Sequence, residues 1–165
     1  MTDPVSIVTY RPDHAVAWRS LNEAWLAHGG YSLETKDRAV LGDPDGTVLG
    51  RGGAIFMAER NGKAVGCCSV MRMADGGYEV GKMAVTPSAV GLGIGWALLE
   101  ACEAVAVKSG ASRLYLETNA AQTHAIALYG RFGFVRMSAQ PTPYARCNVW
   151  MEKPLLEQDH SLDRS

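Results

Sequence analysis

The chain has 165 residues, 47% of them hydrophobic and 20% charged, and its formal net charge at pH 7 is −1. That composition is ordinary for one globular domain with a sizeable core. Because no stretch concentrates Lys or Arg and no run approaches the ~20 apolar residues of a membrane span, nucleic acid and membrane are not expected partners.

The opening MTDPVSIVTYRPDH lacks the basic-then-apolar order of a secretory leader, so the expected location is the cytoplasm. VSIVTY (5–10) alternates as a strand. Asp13, following Pro12, is placed to cap a helix in which Trp18, Leu21, Trp25 and Leu26 recur at helical spacing, with Gly29 and Gly30 as its stop. Residues 31–53 are rich in glycine and charge and suggest only a short helix near 34–41. AIFMAER and KAVGCCSVMRM, joined by Asn61-Gly62, read as a hairpin. Another strand follows in GGYEVGKMAV. A helix from Trp96 to Lys108 carries Leu98, Leu99, Cys102, Val105 and Ala106 on one stripe, and RLYLETN (113–119) returns as a strand. A second helix, Gln122 to Phe132, sets Ile126, Tyr129 and Phe132 on one side, and a last strand covers about 145–152. One domain over 1–155 with a disordered tail at 156–165 is expected.

This order, a meander of strands running into strand–helix–strand–helix–strand, predicts an α+β fold with a mixed sheet flanked by helices. The strands at 77–85 and 113–119, joined through a helix, are expected to lie parallel. Of the four cysteines, Cys67 and Cys68 are adjacent in a strand and should point to opposite faces. None has C-x-x-C spacing, so reduced thiols and no metal site are expected.

The segment VTPSAVGLGIGWALLE (85–100) places Gly91, Gly93 and Gly95 immediately before a helix. Unpaired amides and the positive end of the helix dipole make such a turn suited to an anion, and glycines let the backbone approach it closely. Two other phosphate motifs fail. The dinucleotide pattern G-x-G-x-x-G would need a glycine where Trp96 stands, and GGYEVGKM has Met83 where a P-loop needs Ser or Thr, in a stretch that alternates as a strand.

VTPSAVGLGIGWALLE, followed by LYLETN and AIALYGRFGFV, resembles the acyl-coenzyme A site of the GNAT superfamily of N-acetyltransferases, with specific motifs over residues 54–136. Gly91, Gly93 and Gly95 match the family's R-G-x-G-x-G loop, and Val85 with Pro87 match the V-x-P before it. The resemblance implies a twisted, mostly antiparallel mixed sheet of six to seven strands with about four helices. It also implies coenzyme A pyrophosphate held by the loop from Val90 through Gly91, Leu92, Gly93, Ile94 and Gly95 to Trp96. Val90 departs from the pattern, since the family carries Gln or Arg there. The segment Met83, Ala84 and Val85 matches the strand that pairs with the pantetheine arm, one of its amides polarising the thioester carbonyl. Asn119 matches a cofactor-contacting asparagine, although capping the next helix is an equally open role. A homodimer is common in the family.

Acetyl transfer to an amine needs a base, because at neutral pH only roughly one alkylamine in two thousand is unprotonated. Glu79 is the candidate: a carboxylate within an apolar strand, whose burial would raise its pKa toward the useful range, at the offset of the catalytic glutamate of histone-type members. Lys82, an odd offset away, is read as pointing to the opposite face. Tyr129, in the family's A-x-x-L-Y motif, is the candidate acid for the departing thiolate, and the alternative is a core aromatic. His124 reads as a surface residue. The resemblance places the acceptor among residues 25–53 and 140–148, with Trp25, Tyr31 and Glu79 as candidates to line its pocket, Trp25 as helix core being the alternative. Tyr144 and Arg146 are offered to a substrate carboxylate, an exposed structural arginine being an equal alternative. The expected acceptor is a small, amino-acid-like amine, a protein or peptide amine being the alternative. A non-catalytic acyl-coenzyme A-binding module also stays open.

Overall fold

The computed structural model describes residues 4–155; the expected tail at 156–165 lies outside the described residues. Its strands are β1 (Val5–Thr9), β2 (Ala54–Arg60), β3 (Lys63–Arg72), β4 (Tyr78–Val85), β5 (Arg113–Thr118), β6 (Val135–Met137) and β7 (Val149–Pro154). The helices are α1 (Ala15–His28), α2 (Thr35–Gly42), α3 (Pro44–Thr47), α4 (Ile94–Lys108) and α5 (Thr123–Phe132).

All seven strands form one sheet, ordered β1-β2-β3-β4-β5-β7-β6. Every pairing is antiparallel except β4 with β5, the pair joined through α4. The β2–β3 hairpin turns at Asn61 and Gly62, whose φ values of 54° and 71° are the positive pair that a type I′ turn requires. β6 was not foreseen: three residues on the sheet edge, mostly exposed, show no alternation to read.

Two cores follow from strand alternation. Facing α4 and α5, Leu98, Leu99, Cys102 and Ala106 pack with Cys68, Leu114, Leu116 and Phe132. On the other face Trp18 and Leu21 of α1 and Val40 and Leu41 of α2 pack with Ile55, Met57, Cys67 and Ala84. Cys67 and Cys68 thus serve opposite faces, as their adjacency in β3 predicts. The Trp18 indole donates to the Val40 carbonyl at 3.3 Å, tying α1 to α2.

Some boundaries differ from expectation. Asp13 lies within a single 3₁₀ turn, Pro12–His14, and pairs with Arg11 at 3.2 Å rather than capping α1. The region 31–53 holds two helices and a further 3₁₀ turn. β7 begins only at Val149, because the preceding residues close a turn in which the Cys147 amide donates to the Tyr144 carbonyl at 3.3 Å. Among the described residues no helix is long and apolar enough to cross a membrane.

Candidate active site

β4 and β5 pair only at Tyr78–Leu114 and Glu79–Tyr115, although β4 runs on to Val85 and β5 to Thr118. Past Glu79 the two strands are no longer registered, and the sheet opens between them. A cavity of about 110 Å³ occupies this opening, walled by β4 (Glu79 to Met83), β5 (Leu116 to Thr118) and Tyr129 of α5, and on the other face by Trp25, Tyr31 and Tyr144.

The glycine turn lies at the end of β4. Gly91 and Gly93 have φ of +90° and +75°, and a Cβ built on either would meet no atom within 4 Å. Bare backbone therefore faces open space here. Among the described residues the amides from Gly91 to Trp96 have no acceptor, the first that does being Ala97, which donates to the Gly93 carbonyl at 3.1 Å. A run of unsatisfied amides at the start of the 15-residue α4 suits an anion electrostatically, and an acyl-coenzyme A pyrophosphate fits its chemistry. Gly95 serves packing instead. A Cβ there would stand 2.7 Å from Leu128, so its absence lets α5 approach α4. Val90 (69% exposed) and Leu92 (41%) contribute apolar side chains to the rim, and Trp96 turns its ring edge-on against Phe132 at 4.9 Å. Ile94 is buried in the core below.

Glu79 lines the cavity, and among the described residues its carboxylate makes no hydrogen bond or ion pair. Burial, followed by the like charge of Glu117, raises its carboxyl above the ordinary value, against the opposing pull of Lys36 and Lys82. Glu117, by contrast, is engaged at both oxygens. It accepts from the Tyr115 hydroxyl (2.9 Å), the Thr142 hydroxyl (2.9 Å) and the Trp150 indole (3.2 Å). Tyr129 is buried at the cavity floor against Phe134, and burial raises its phenol, which keeps it protonated. Its hydroxyl makes no hydrogen bond among the described residues.

Lys82 corrects the sequence reading. Opposite Cys68 the register slips, so that Cys67 pairs with Ala84 but Ser69 with Gly81, and β4 gains one residue. Lys82 sits at this bulge with φ of +52°. The bulge brings its side chain to the same face as Glu79, where it lines the same cavity. Its ammonium bonds the Asp37 carboxylate and lies 3.2 Å from the Tyr144 hydroxyl, and burial lowers its pKa.

Asp37 was absent from the sequence reading and is fully buried beside this cavity. Burial alone would raise its carboxyl, but the Arg146 fork (2.8 Å to each oxygen), Lys82 and the Glu34 amide hold it well below the carboxylate range. Arg146 also reaches Glu34 at 3.1 Å and stacks 4.3 Å over Tyr144. The carboxylate that Arg146 grips is thus the protein's own, and its fork is not open to a substrate. Asn119 has both ends engaged as well, donating to the Arg146 carbonyl at 2.6 Å and accepting from the Ala121 amide at 2.8 Å, which fixes the turn after β5. Trp25 and Tyr31 stack at 5.7 Å, with Gln122 donating to the Tyr31 hydroxyl at 3.4 Å. His124 is exposed and lies outside the cavity wall.

Residues 14–134 match the family described as Acetyltransferase (GNAT) family. An IAA acetyltransferase of Azospirillum brasilense is 43% identical over 139 residues, which span 83% of this chain and 84% of that one. Among solved structures, an acetyltransferase of the GNAT family from Staphylococcus aureus Mu50 superposes with a TM-score of 0.86 at 19% identity, covering 93% of this chain and all (100%) of that one. The yncA protein of Salmonella typhimurium, solved with its cofactor acetyl-CoA, superposes with a TM-score of 0.75 at 18% identity, covering 94% of this chain and 96% of that one.

Proposed function

Because the chain belongs to the GNAT family of acetyltransferases, we propose that it moves the acetyl group of acetyl-coenzyme A directly to the primary amine of a small molecule, with Glu79 as proton acceptor and Tyr129 as proton donor. The observation that carries this reading is the parting of β4 from β5, which brings an unpaired carboxylate and an unpaired phenol into one cavity beside a turn of unsatisfied amides.

Acetyl-coenzyme A supplies an acyl thioester and departs as a thiol. The amides from Gly91 to Trp96 hold its pyrophosphate, and the unregistered edge of β4 from Met83 to Val85 presents backbone donors to its arm and carbonyl. Glu79, poised by burial above the ordinary carboxylate range, takes the proton that the amine sheds as its nitrogen bonds the acetyl carbon. Tyr129 gives its hydroxyl proton to the sulfur as the carbon–sulfur bond breaks. The close aromatic wall of Trp25, Tyr31 and Tyr144 supports a small acceptor over a protein surface. Four free cysteines among the described residues support a cytoplasmic setting.

Thiol release from acetyl-coenzyme A across amino acids, polyamines, aminoglycosides and short peptides tests the reading. Release that depends on a small amine is expected, and release only with peptides would overturn the assignment of the acceptor. Glu79→Gln and Tyr129→Phe variants that bind coenzyme A and turn over at the wild-type rate would overturn the mechanism.

A further inference from the structure

Five charged side chains line the cavity: Lys36, Glu79, Lys82, Glu117 and Arg146. Three of them are spent within the protein. Lys82 and Arg146 are bound to Asp37, Arg146 also to Glu34, and Glu117 takes three donors. Recruiting Lys82 or Arg146 to a ligand would strip a fully buried carboxylate of its partners, which is strongly unfavourable. Of the five, one anion and one cation are left whose charged groups make no hydrogen bond or ion pair among the described residues, Glu79 and Lys36.

Helix stability does not account for Lys36. It occupies the first turn of α2, where the positive end of the helix dipole disfavours a cation. Its side chain is half-buried and turned into the cavity, the ammonium 5.8 Å from the centre of the Tyr144 ring. Lys82 and Arg146 crowd the same ring at 4.6 and 4.3 Å, so this wall carries three cations, of which Asp37 and Glu34 compensate two. The surplus charge is that of Lys36, and its field reaches Glu79.

A cavity with one free cation and one free anion is matched by a ligand that carries both charges. We propose that Lys36 anchors a carboxylate on the acceptor while Glu79 meets its amine, so that the site selects amino acids over simple amines. This inference rests on the transferase reading for the role of Glu79, but the anchor itself is a binding property. A monoamine without the carboxylate enters as a cation, leaves Lys36 unmatched and is repelled by it. A zwitterion enters neutral and satisfies both groups.

Calorimetric titration of the full chain with α-, β- and γ-amino acids, each beside its amide, provides the test. Wild-type protein should bind at least one amino acid about ten- to a hundredfold more tightly than its amide, the usual worth of a charge-assisted contact. Lys36→Met should collapse that preference to near unity, and Lys36→Arg should retain most of it. Lys36 has no hydrogen bond or ion pair to lose, so both variants should melt close to the wild type. Equal binding of acid and amide by the wild type, no binding of any amino acid, or a preference that survives in Lys36→Met would each overturn the inference. Thiol release on the same panel separates the two claims. A binding preference without release sinks the transferase reading alone, whereas release without preference sinks the anchor alone.

Discussion

The roles proposed for Glu79 and Tyr129 rest on what does not touch them. An exposed strand glutamate would titrate near 4.3, but burial and Glu117 raise Glu79, so it still holds a proton at a pH where an ordinary glutamate has lost its own. The acidic limb of kcat/KM should therefore lie above the ordinary glutamate value, with activity rising as pH passes through it. Glu79→Gln should remove that limb and lower kcat about a hundredfold or more while coenzyme A binding stays within a factor of two or so. Tyr129→Phe should cost less, about tenfold, because a thiol with a pKa of about 8.5 is already a fair leaving group. At Val90 the sign is reversed. Its side chain is 69% exposed beside unsatisfied amides, and it offers the anion nothing polar. Val90→Arg should tighten coenzyme A binding about tenfold in a calorimetric titration, the worth of one charge-assisted hydrogen bond.

Among elements, α2 and the turn at 144–147 face each other across the cavity and are joined through Asp37. Replacing this buried acid by Asn leaves Lys82 without its counter-ion and Arg146 with Glu34 alone, which should cost about 3–5 kcal/mol and lower Tm by about 10 °C or more. The pH dependence has a fixed sign. The folded-state pKa of Asp37 is depressed, so its contribution is complete above the ordinary value of about 3.9 and is lost as pH falls through the depressed one. Thermal melts of the wild type and Asp37→Asn should accordingly converge in acid and stay apart at neutral pH. Neither Asp37 nor the true orientation of Lys82 was legible in the sequence. The partners that let Asp37 be buried are 45 and 109 positions away in the chain, and strand alternation does not anticipate the extra residue that turns Lys82. What could be read was local: the Asn61-Gly62 turn, the apolar stripe of α4, the glycine loop and a carboxylate out of place in an apolar strand. β6 escaped because three edge residues carry no period.

The sheet as a whole is two ladders, β1 to β4 and β5-β7-β6, registered to each other through only two residue pairs. An undivided sheet would have no opening at its centre; this one places the cavity and the amide turn at the seam. A coenzyme arm lying along the β4 edge would supply the hydrogen bonds that β5 withholds, so the ligand should act as a missing stretch of strand. Such binding to the folded state alone adds about 2.7 kcal/mol at a hundredfold excess over Kd, equivalent to a rise in Tm of about 5–10 °C for a chain of this size. The location of the effect is the sharper test. Hydrogen exchange should slow at Gly91 to Trp96, whose amides lack acceptors, and along Gly81 to Val85, which pairs with β3 but not with β5, and stay unchanged in β1 and β2. Protection spread evenly over the sheet would mean global stabilisation from a site elsewhere. Protection confined to the glycine turn would mean that the pyrophosphate is held while the arm does not enter the seam.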